Sequence, residues 1–248
     1  MWKKRRVSVV FPTYNEKESI RAAIDDFFAS GFVDEIVVVN NNAAEGTDDE
    51  VRATSARLVF EKRQGYGYAI WRGLEEATGD LLIIAEPDGT FSGHDVVKML
   101  AYSDDVPVVF GTRTSREFVW DGANMGFPLK FGNWSVAKLA ELLFNTTILT
   151  DVGCSMRLLN REAYERIAPC FTEGGSAFGP QILLLTILSR IPFVEIPVNY
   201  RRRVGQSSVT GDHVRAALLG LQMTGMILRY RLLSWFGWRP KPRGAARA

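Results

Sequence analysis

A chain of 248 residues has room for one large α/β domain and is too short for two comfortable ones. Its 46% hydrophobic and 23% charged residues make an ordinary globular composition, neither disordered nor fibrous. The net charge of only +2 conceals basic clusters at Lys3-Lys4-Arg5-Arg6, at Arg201-Arg202-Arg203 and through the tail residues Arg229, Arg231, Arg239, Lys241, Arg243 and Arg247. These suit phosphate groups or an anionic membrane surface, and without interleaved aromatics no nucleic-acid partner is expected.

Val7 to Phe11 predicts a first buried strand, left through a turn marked by Pro12 and Asn15. Lys17 to Ala29 carries Ile20, Ala23, Ile24, Phe27 and Phe28 at helical spacing, and Gly31 ends it. Glu35 to Val39 predicts a second strand, Asp48 to Ala56 a short helix, and Leu58 to Phe60 a third strand. Tyr66 to Ala77 predicts a helix stopped by Gly79, which leads straight into an apolar strand from Leu81. His94 to Ala101 reads as a helix and Val106 to Phe110 as a strand. The alternation predicts an α/β fold: a mostly parallel sheet with helices on both faces.

The second half is less regular. A helix is predicted over Asn133 to Phe144, a short strand over Met156 to Leu159, and an apolar helix over Pro180 to Ser189. Phe193 to Val198 is a last strand, interrupted by prolines and therefore expected at an edge. Ala216 to Leu228 is apolar for only thirteen residues, short of the roughly twenty that a spanning helix needs. Arg215, Gln222 and Arg229 form a polar stripe every seventh residue, and Leu232, Trp235, Phe236 and Trp238 follow. An interfacial membrane helix needs that combination; packing on the domain or in a homo-oligomer is the other reading. The organisation expected is a catalytic domain over 1–212, an amphipathic helix over 213–238 and a basic tail over 239–248.

The strand from Leu81 runs into Glu86-Pro87-Asp88-Gly89. Glu86 and Asp88 share side-chain parity, so both can face one ion at the carboxyl edge of the sheet, where open α/β sheets bind ligands. Hard oxygens there suit a divalent cation that holds a diphosphate; two solvated loop carboxylates are the bland alternative. Pro12-Thr13-Tyr14-Asn15-Glu16 leaves the first strand at that edge, and Asn40 to Thr47 leaves the second. Polar groups on these loops could hydrogen-bond a base and ribose. Arg63-Gln64-Gly65-Tyr66-Gly67-Tyr68-Ala69 is a glycine-rich approach to a helix start, a place that admits anions. Two histidines, His94 and His213, argue against a histidine metal site or a Ser-His-Asp hydrolase. Two cysteines, Cys154 and Cys170, cannot build a disulfide framework. The apolar stretch before Pro12 is too short for a signal-peptide core, so the catalytic domain is expected on the cytosolic side.

Taken in order, these motifs resemble the family-2 glycosyltransferases over about Val7 to Thr210. Gly111-Thr112-Arg113, Asp151-Val152-Gly153-Cys154-Ser155-Met156-Arg157 and Arg203-Val204-Gly205-Gln206-Ser207 resemble the branch that includes dolichyl- or polyprenyl-phosphate mannose and glucose synthases. The resemblance implies a GT-A fold, a nucleotide-sugar donor, Mg2+ or Mn2+, and inverting transfer of a hexose to a polyprenyl or dolichyl phosphate. It places Pro12, Tyr14, Glu16, Asn40, Asn41, Gly65 and Glu86 on the nucleotide and donor. The usual Asp-Asp-Gly-Ser loop reads Asn40-Asn41-Asn42-Ala43 here, which changes the contacts open to the base. The usual Asp-x-Asp reads Glu86-Pro87-Asp88. Asp88 is the expected metal ligand; Glu86, one methylene longer, ligates directly, acts through water, or positions an arginine. Thr90 stands where the synthases often carry a glutamine, and Gln181 where many relatives carry a glutamate.

The resemblance also implies an acceptor-phosphate group of Arg113, Arg157, Ser207 and, more loosely, Lys130. Asp88, Asp151 and Arg203 form the expected catalytic set, with Arg203 closing over the diphosphate. Phe118, Trp120, Phe127, Phe131 and Trp134, interleaved with Gly122, Gly126 and Gly132, read either as an adaptable acceptor loop or as core. The implied location is peripheral, on the cytosolic face of a membrane. Two rival readings fit the same residues: a glycosyltransferase with a hydroxyl acceptor, for which Asp151 would be the base, and a non-catalytic nucleotide-binding relative.

Overall fold

The computed structural model describes residues 1–123, 126–205 and 213–240. Among these residues seven strands form one sheet: β1 (Val7–Thr13), β2 (Glu35–Asn40), β3 (Arg57–Phe60), β4 (Leu81–Ile84), β5 (Val108–Thr112), β6 (Arg157–Asn160) and β7 (Phe193–Pro197). Their order is β3-β2-β1-β4-β6-β5-β7. All pairings are parallel except those of β6, which runs antiparallel to both β4 and β5. The helices are α1 (Ile20–Ala29), α2 (Thr47–Arg52), α3 (Tyr66–Glu76), α4 (His94–Tyr102), α5 (Phe127–Phe144), α6 (Arg161–Ile167), α7 (Phe178–Leu188) and α8 (His213–Trp235).

The pleat explains why the central strands are apolar throughout. Val7, Val9 and Phe11 of β1 pack with Ile20, Ile24 and Phe27 of α1 and with Val96, Met99 and Leu100 of α4. Val10, pointing the other way, meets Val37, Val39 and the α3 residues Ile70 and Leu74. Leu81 and Ile83 of β4 join the first layer, Leu82 and Ile84 the second. A sheet covered on both faces cannot alternate apolar with polar, so these strands read as continuous runs. Gly73 lets α3 lie close to the sheet, since a Cβ there would collide with Val10.

β7 lies at an edge, as its prolines predict. The structure differs from the sequence expectation in two places. α5 begins at Phe127, because Pro128 sits in its first turn, where a missing N–H costs nothing. Phe127 and Phe131 therefore lie on the same helix as Trp134 rather than in a loop. Secondly, α6 follows β6 with no intervening loop; Asn160 ends the strand and caps the helix by accepting from the Ala163 N–H. α8 runs from His213 through Arg229 and Arg231 to Trp235, inside the 213–238 span expected for an amphipathic helix. Its Met223, Met226, Ile227 and Tyr230 are buried against the body of the protein. No helix among the described residues is long and apolar enough to cross a membrane.

The orientation of β6 matters for function. Being antiparallel, it starts at the edge where its parallel neighbours end, and Arg157 pairs in register with Ile84 of β4 and Phe110 of β5. The sheet thus brings an arginine alongside the strand that leads to Glu86 and Asp88.

Candidate active site

A cavity of about 1070 Å3 opens at the carboxyl edge of the sheet. One end is walled by Pro12 to Glu16, Asn41 and Gln64; Glu86, Arg203, Arg113 and Arg157 line the middle. The other end runs between α5 and α8, past Leu129, Phe131, Val136, Leu219 and Met223.

Glu86 and Asp88 come together, as their shared parity predicts, with Arg203 facing both. Arg203 Nη2 donates to Glu86 Oε2 at 3.0 Å, and Nη1 forms an ion pair with Asp88 Oδ2. Asp88 is 1% exposed. Its Oδ1 accepts from the Thr90 N–H at 2.9 Å and from the Thr90 hydroxyl. That hydroxyl is committed to Asp88, so Thr90 is not a spare third ligand. Asp88 Oδ2 is buried with no hydrogen-bond donor in line among the described residues. Burial, reinforced by the charge of Glu86, pushes Asp88 up to about 7. Burial pushes Glu86 up as well, but Arg203 and the hydrogen bonds of Asp88 and Ser155 outweigh it, and Glu86 lies below the usual carboxylate range.

Two converging carboxylates, matched here by one guanidinium, present hard oxygens that fit a divalent cation. No cluster of three or more His, Cys, Asp or Glu side chains suited to a metal occurs among the described residues. The remaining coordination positions would fall to a ligand and water, the usual arrangement for Mg2+ with phosphates.

On the nucleotide side Pro12, Tyr14, Glu16 and Asn41 line the cavity, but Asn40 and Gly65 do not. The Glu16 carboxylate accepts from the Tyr14 and Asn15 N–H groups at 2.6 and 2.9 Å, shaping the turn after β1. Burial raises its pKa despite those bonds. The Asn40 side chain donates to Asp48 and accepts from the Ala43 N–H. The Asn41 amide donates to the Glu61 and Arg63 carbonyls and accepts from the Gly65 N–H, each at 2.8 Å. Both asparagines are thus spent on holding loops together. Gly65 has a packing role: a Cβ there would strike the Gly174 carbonyl, which itself accepts from the Gly67 and Tyr68 N–H groups. The start of α3 is capped by protein, so the anion-binding role expected from its glycines is not available.

On the acceptor side, Arg113 lines the cavity with most of its side chain covered, in a two-pronged pair with Asp151: Nε to Oδ2 at 2.8 Å and Nη2 to Oδ1 at 2.9 Å. Its guanidinium also lies 5.1 Å from the Tyr200 ring centre. Burial would lower the Arg113 pKa, but the Asp151 charge more than compensates. Asp151 accepts further from Gly153 N–H and does not line the cavity, so it faces Arg113 rather than a substrate. Arg157 is held differently. Its Nε, Nη1 and Nη2 donate to the backbone carbonyls of Cys154, Gly179 and Val152. No carboxylate hydrogen-bonds to it among the described residues, and burial lowers its pKa. Lys130 sits on α5 outside the cavity lining. Ser207, with Gln206, lies outside the described residues.

Sequence reasoning missed Tyr66 and Ser155. Tyr66 lines the cavity and hydrogen-bonds Ser155, which also bonds Glu86. Burial and the nearby Glu86 raise the Tyr66 phenol well above its ordinary value. Both lie inside motifs singled out for other residues, the glycine-rich helix start and the Asp151–Arg157 stretch. Gln181 also finds its role: it accepts from the Thr172 and Glu173 N–H groups and donates to the Thr172 and Tyr230 hydroxyls. Only an amide can both donate and accept in that way, and the bonds tie α7 to α8.

Comparison with known proteins supplies the family. A dolichyl-phosphate hexose transferase of Haloferax volcanii is 25% identical over 229 residues, covering 91% of this chain and 96% of that protein. The low-salt glycan biosynthesis hexosyltransferase Agl6 of the same organism is 25% identical over 257 residues. That match covers 93% of this chain and 60% of Agl6, so the chain spans less than two thirds of that relative. Among solved structures, glucosyl-3-phosphoglycerate synthase from Mycobacterium tuberculosis, crystallised with Mn2+, UDP-glucose and phosphoglyceric acid, superposes with a TM-score of 0.72. It covers 92% of this chain and 80% of its own at 18% identity, a likeness of fold, and the fold is GT-A. The profile of Glycosyl transferase family 2 matches residues 8–168, from β1 through α6 and across the strands that lead to Glu86, Arg113 and Arg157. The chain belongs to that family and is a glycosyltransferase.

Proposed function

We propose that the protein transfers a hexose from a nucleoside diphosphate sugar to a polyprenyl or dolichyl phosphate at a membrane surface, with inversion and with Mg2+ or Mn2+. The observation that carries this reading is Arg157: a buried guanidinium whose hydrogen bonds among the described residues all go to carbonyls, beside Arg113, where a cavity turns from polar to apolar. A buried cation with no carboxylate hydrogen-bonded to it favours an anion, and arginine forks suit phosphate oxygens. The apolar trough between α5 and α8 leads away from that point and suits a hydrocarbon chain. The names of the Haloferax volcanii relative and of the Mn2+- and UDP-sugar-bound neighbour point the same way.

The chemistry follows from the acceptor. A phosphate monoester is already an anion and needs no strong base; it needs cations that hold it in line. Its oxygen attacks the anomeric carbon from the face opposite the diphosphate, and the bond from that carbon to the diphosphate oxygen breaks. Arg113, fixed in orientation by Asp151, and Arg157 hold the attacking phosphate. Arg203 balances charge building on the leaving diphosphate. Glu86 and Asp88 would hold the cation, which when bound supplies further charge to the diphosphate. Asp151 is committed to Arg113, which disfavours the hydroxyl-acceptor reading that needs it as a base.

The membrane surface is proposed from α5 and α8. Val214, Leu218, Leu221, Leu228, Leu232 and Trp235 lie exposed along α8, and Phe127, Phe131 and Trp134 along α5. Residues 213–235 contain no Asp or Glu, while Arg215, Arg229 and Arg231 accompany the stripe. A helix of that kind suits anionic headgroups.

The deciding experiment is a donor screen: GDP-mannose, UDP-glucose, UDP-GlcNAc and UDP-galactose, each with Mn2+ and a polyprenyl phosphate, read by mass. One donor is expected to give an acid-labile lipid-phosphate sugar. Nucleotide binding with no lipid product from any donor would overturn the acceptor.

A further inference from the structure

We propose that Arg203 guards the acidic pair, keeping a free divalent cation out and yielding the carboxylates only when a diphosphate arrives with the metal. The inference rests on reading Glu86 and Asp88 as the metal ligands. One guanidinium faces both carboxylates, so the oxygens that would bind a cation are already engaged by a tethered one. The segment that delivers it is anchored to the same turn. Val204 N–H donates to the Asp88 carbonyl and Arg201 N–H to the Thr90 carbonyl, both at 2.8 Å. Asp88 is almost wholly buried, while Arg203 and Glu86 keep about a fifth and a quarter of their side-chain surface open toward the cavity. The ion pair with Asp88 is thus the shielded one, and a diphosphate in the cavity can reach Arg203.

Removing one partner from a buried ion pair leaves the other without compensation, a costly outcome. A lone divalent cation must do that to Arg203. A cation accompanied by a diphosphate need not, because the diphosphate gives the displaced guanidinium a two-pronged anionic partner. The exchange then conserves pairing: metal on the carboxylates, arginine on the diphosphate. Metal and nucleotide must consequently strengthen each other's binding, by the same factor in both directions. Glu16 lies close enough that its charge is felt by Arg203 and Glu86, so the local field draws a cation in while Arg203 denies it the ligands.

The test uses the full chain and the electron paramagnetic resonance signal of free Mn2+, with Mn2+ alone and then with UDP or GDP. The wild type should bind Mn2+ weakly alone and about tenfold or more tightly with the matching nucleotide, within the usual range of coupling between linked sites. Arg203→Gln should bind Mn2+ alone about tenfold more tightly than wild type and lose most of the nucleotide-induced gain. Arg203→Lys, which keeps the charge but loses the fork, should fall between them. Near-UV circular dichroism identifies a variant that has lost its fold. Folded Arg203→Gln and Arg203→Lys that bind Mn2+ alone no better than wild type would overturn the guarding role while leaving the metal site standing. Mn2+ binding that survives Asp88→Asn would instead remove the metal site itself, and the inference with it.

Discussion

Asp88 shows how a functional group can be costly to the fold that holds it. Its pKa is raised by burial and by Glu86, so the native state binds its proton more tightly than the unfolded chain does. A carboxylic acid raised in this way contributes stability that is full below its unfolded value of about 4 and is lost as pH climbs through about 7. On account of this residue the metal-free protein should therefore be less stable at pH 8 than at pH 5. Asp88→Asn removes the penalty, and its amide can still occupy the site. The expected outcome is loss of transfer together with a rise of about 1–2 kcal/mol in metal-free stability at pH 8, a gain limited because Arg203 also loses an anion. Thermal melting at both pH values checks this. A variant less stable than wild type at pH 8 would show that the ion pair with Arg203 outweighs the burial cost. Retained transfer would remove Asp88 from the metal site.

Among the elements, α8 has two faces that do different work. Met223, Met226, Ile227 and Tyr230 anchor it, with the Tyr230 hydroxyl bound to Gln181 of α7. The opposite face exposes its leucines beside the α5 aromatics, whose rings stack at 6.0 and 6.1 Å between centres. If that face meets lipid, Leu218→Glu with Leu221→Glu should cut co-sedimentation with anionic phospholipid vesicles by tenfold or more, since fully burying one leucine contributes about 1.5–3 kcal/mol. Unchanged vesicle binding would rule the face out. Loss of a wild-type dimer, seen by light scattering, would assign it to a second copy instead.

Elements were legible in the sequence where burial imposes a period. The strands from Val7 to Ile84 and the helices between them follow from apolar runs and 3.6-residue spacing. The reversed direction of β6 leaves no local mark, because register with Ile84 and Phe110 is a tertiary fact. Pro128 and Gly132 resembled loop punctuation and hid the first turns of α5, and α6 was missed because strand and helix share Asn160 as their boundary. In the site, the charged residues announced themselves by motif. Asn40, Asn41 and Gly65 were legible as special positions but not as loop fasteners, because their partners lie 3 to about 110 residues away, from Ala43 to Gly174. Tyr66 and Ser155 are residue types that any core or turn could carry.

For the whole molecule, the telling feature is the continuity of the cavity from sheet edge to helix pair, and two glycines bear on it. Gly132 of α5 and Gly220 of α8 lie inside helices, where glycine costs about 1 kcal/mol relative to alanine. Neither is required by packing, since a Cβ at either would meet nothing within 4 Å. Both line the cavity. At these two positions the missing side chains leave the wall of the trough open, and that space joins the arginines to the exposed apolar faces. Gly220→Leu should therefore strengthen α8 while narrowing the trough. Thermal stability should rise by up to about 1 kcal/mol from helix propensity, and transfer to a long polyprenyl phosphate should fall several-fold through a higher KM. Transfer to a short, water-soluble prenyl phosphate should change little, because its phosphate reaches Arg113 and Arg157 without occupying the trough. Equal losses with both acceptors would mean that the substitution disturbs the reacting centre. No loss with either would mean that the acceptor chain leaves the protein by another route.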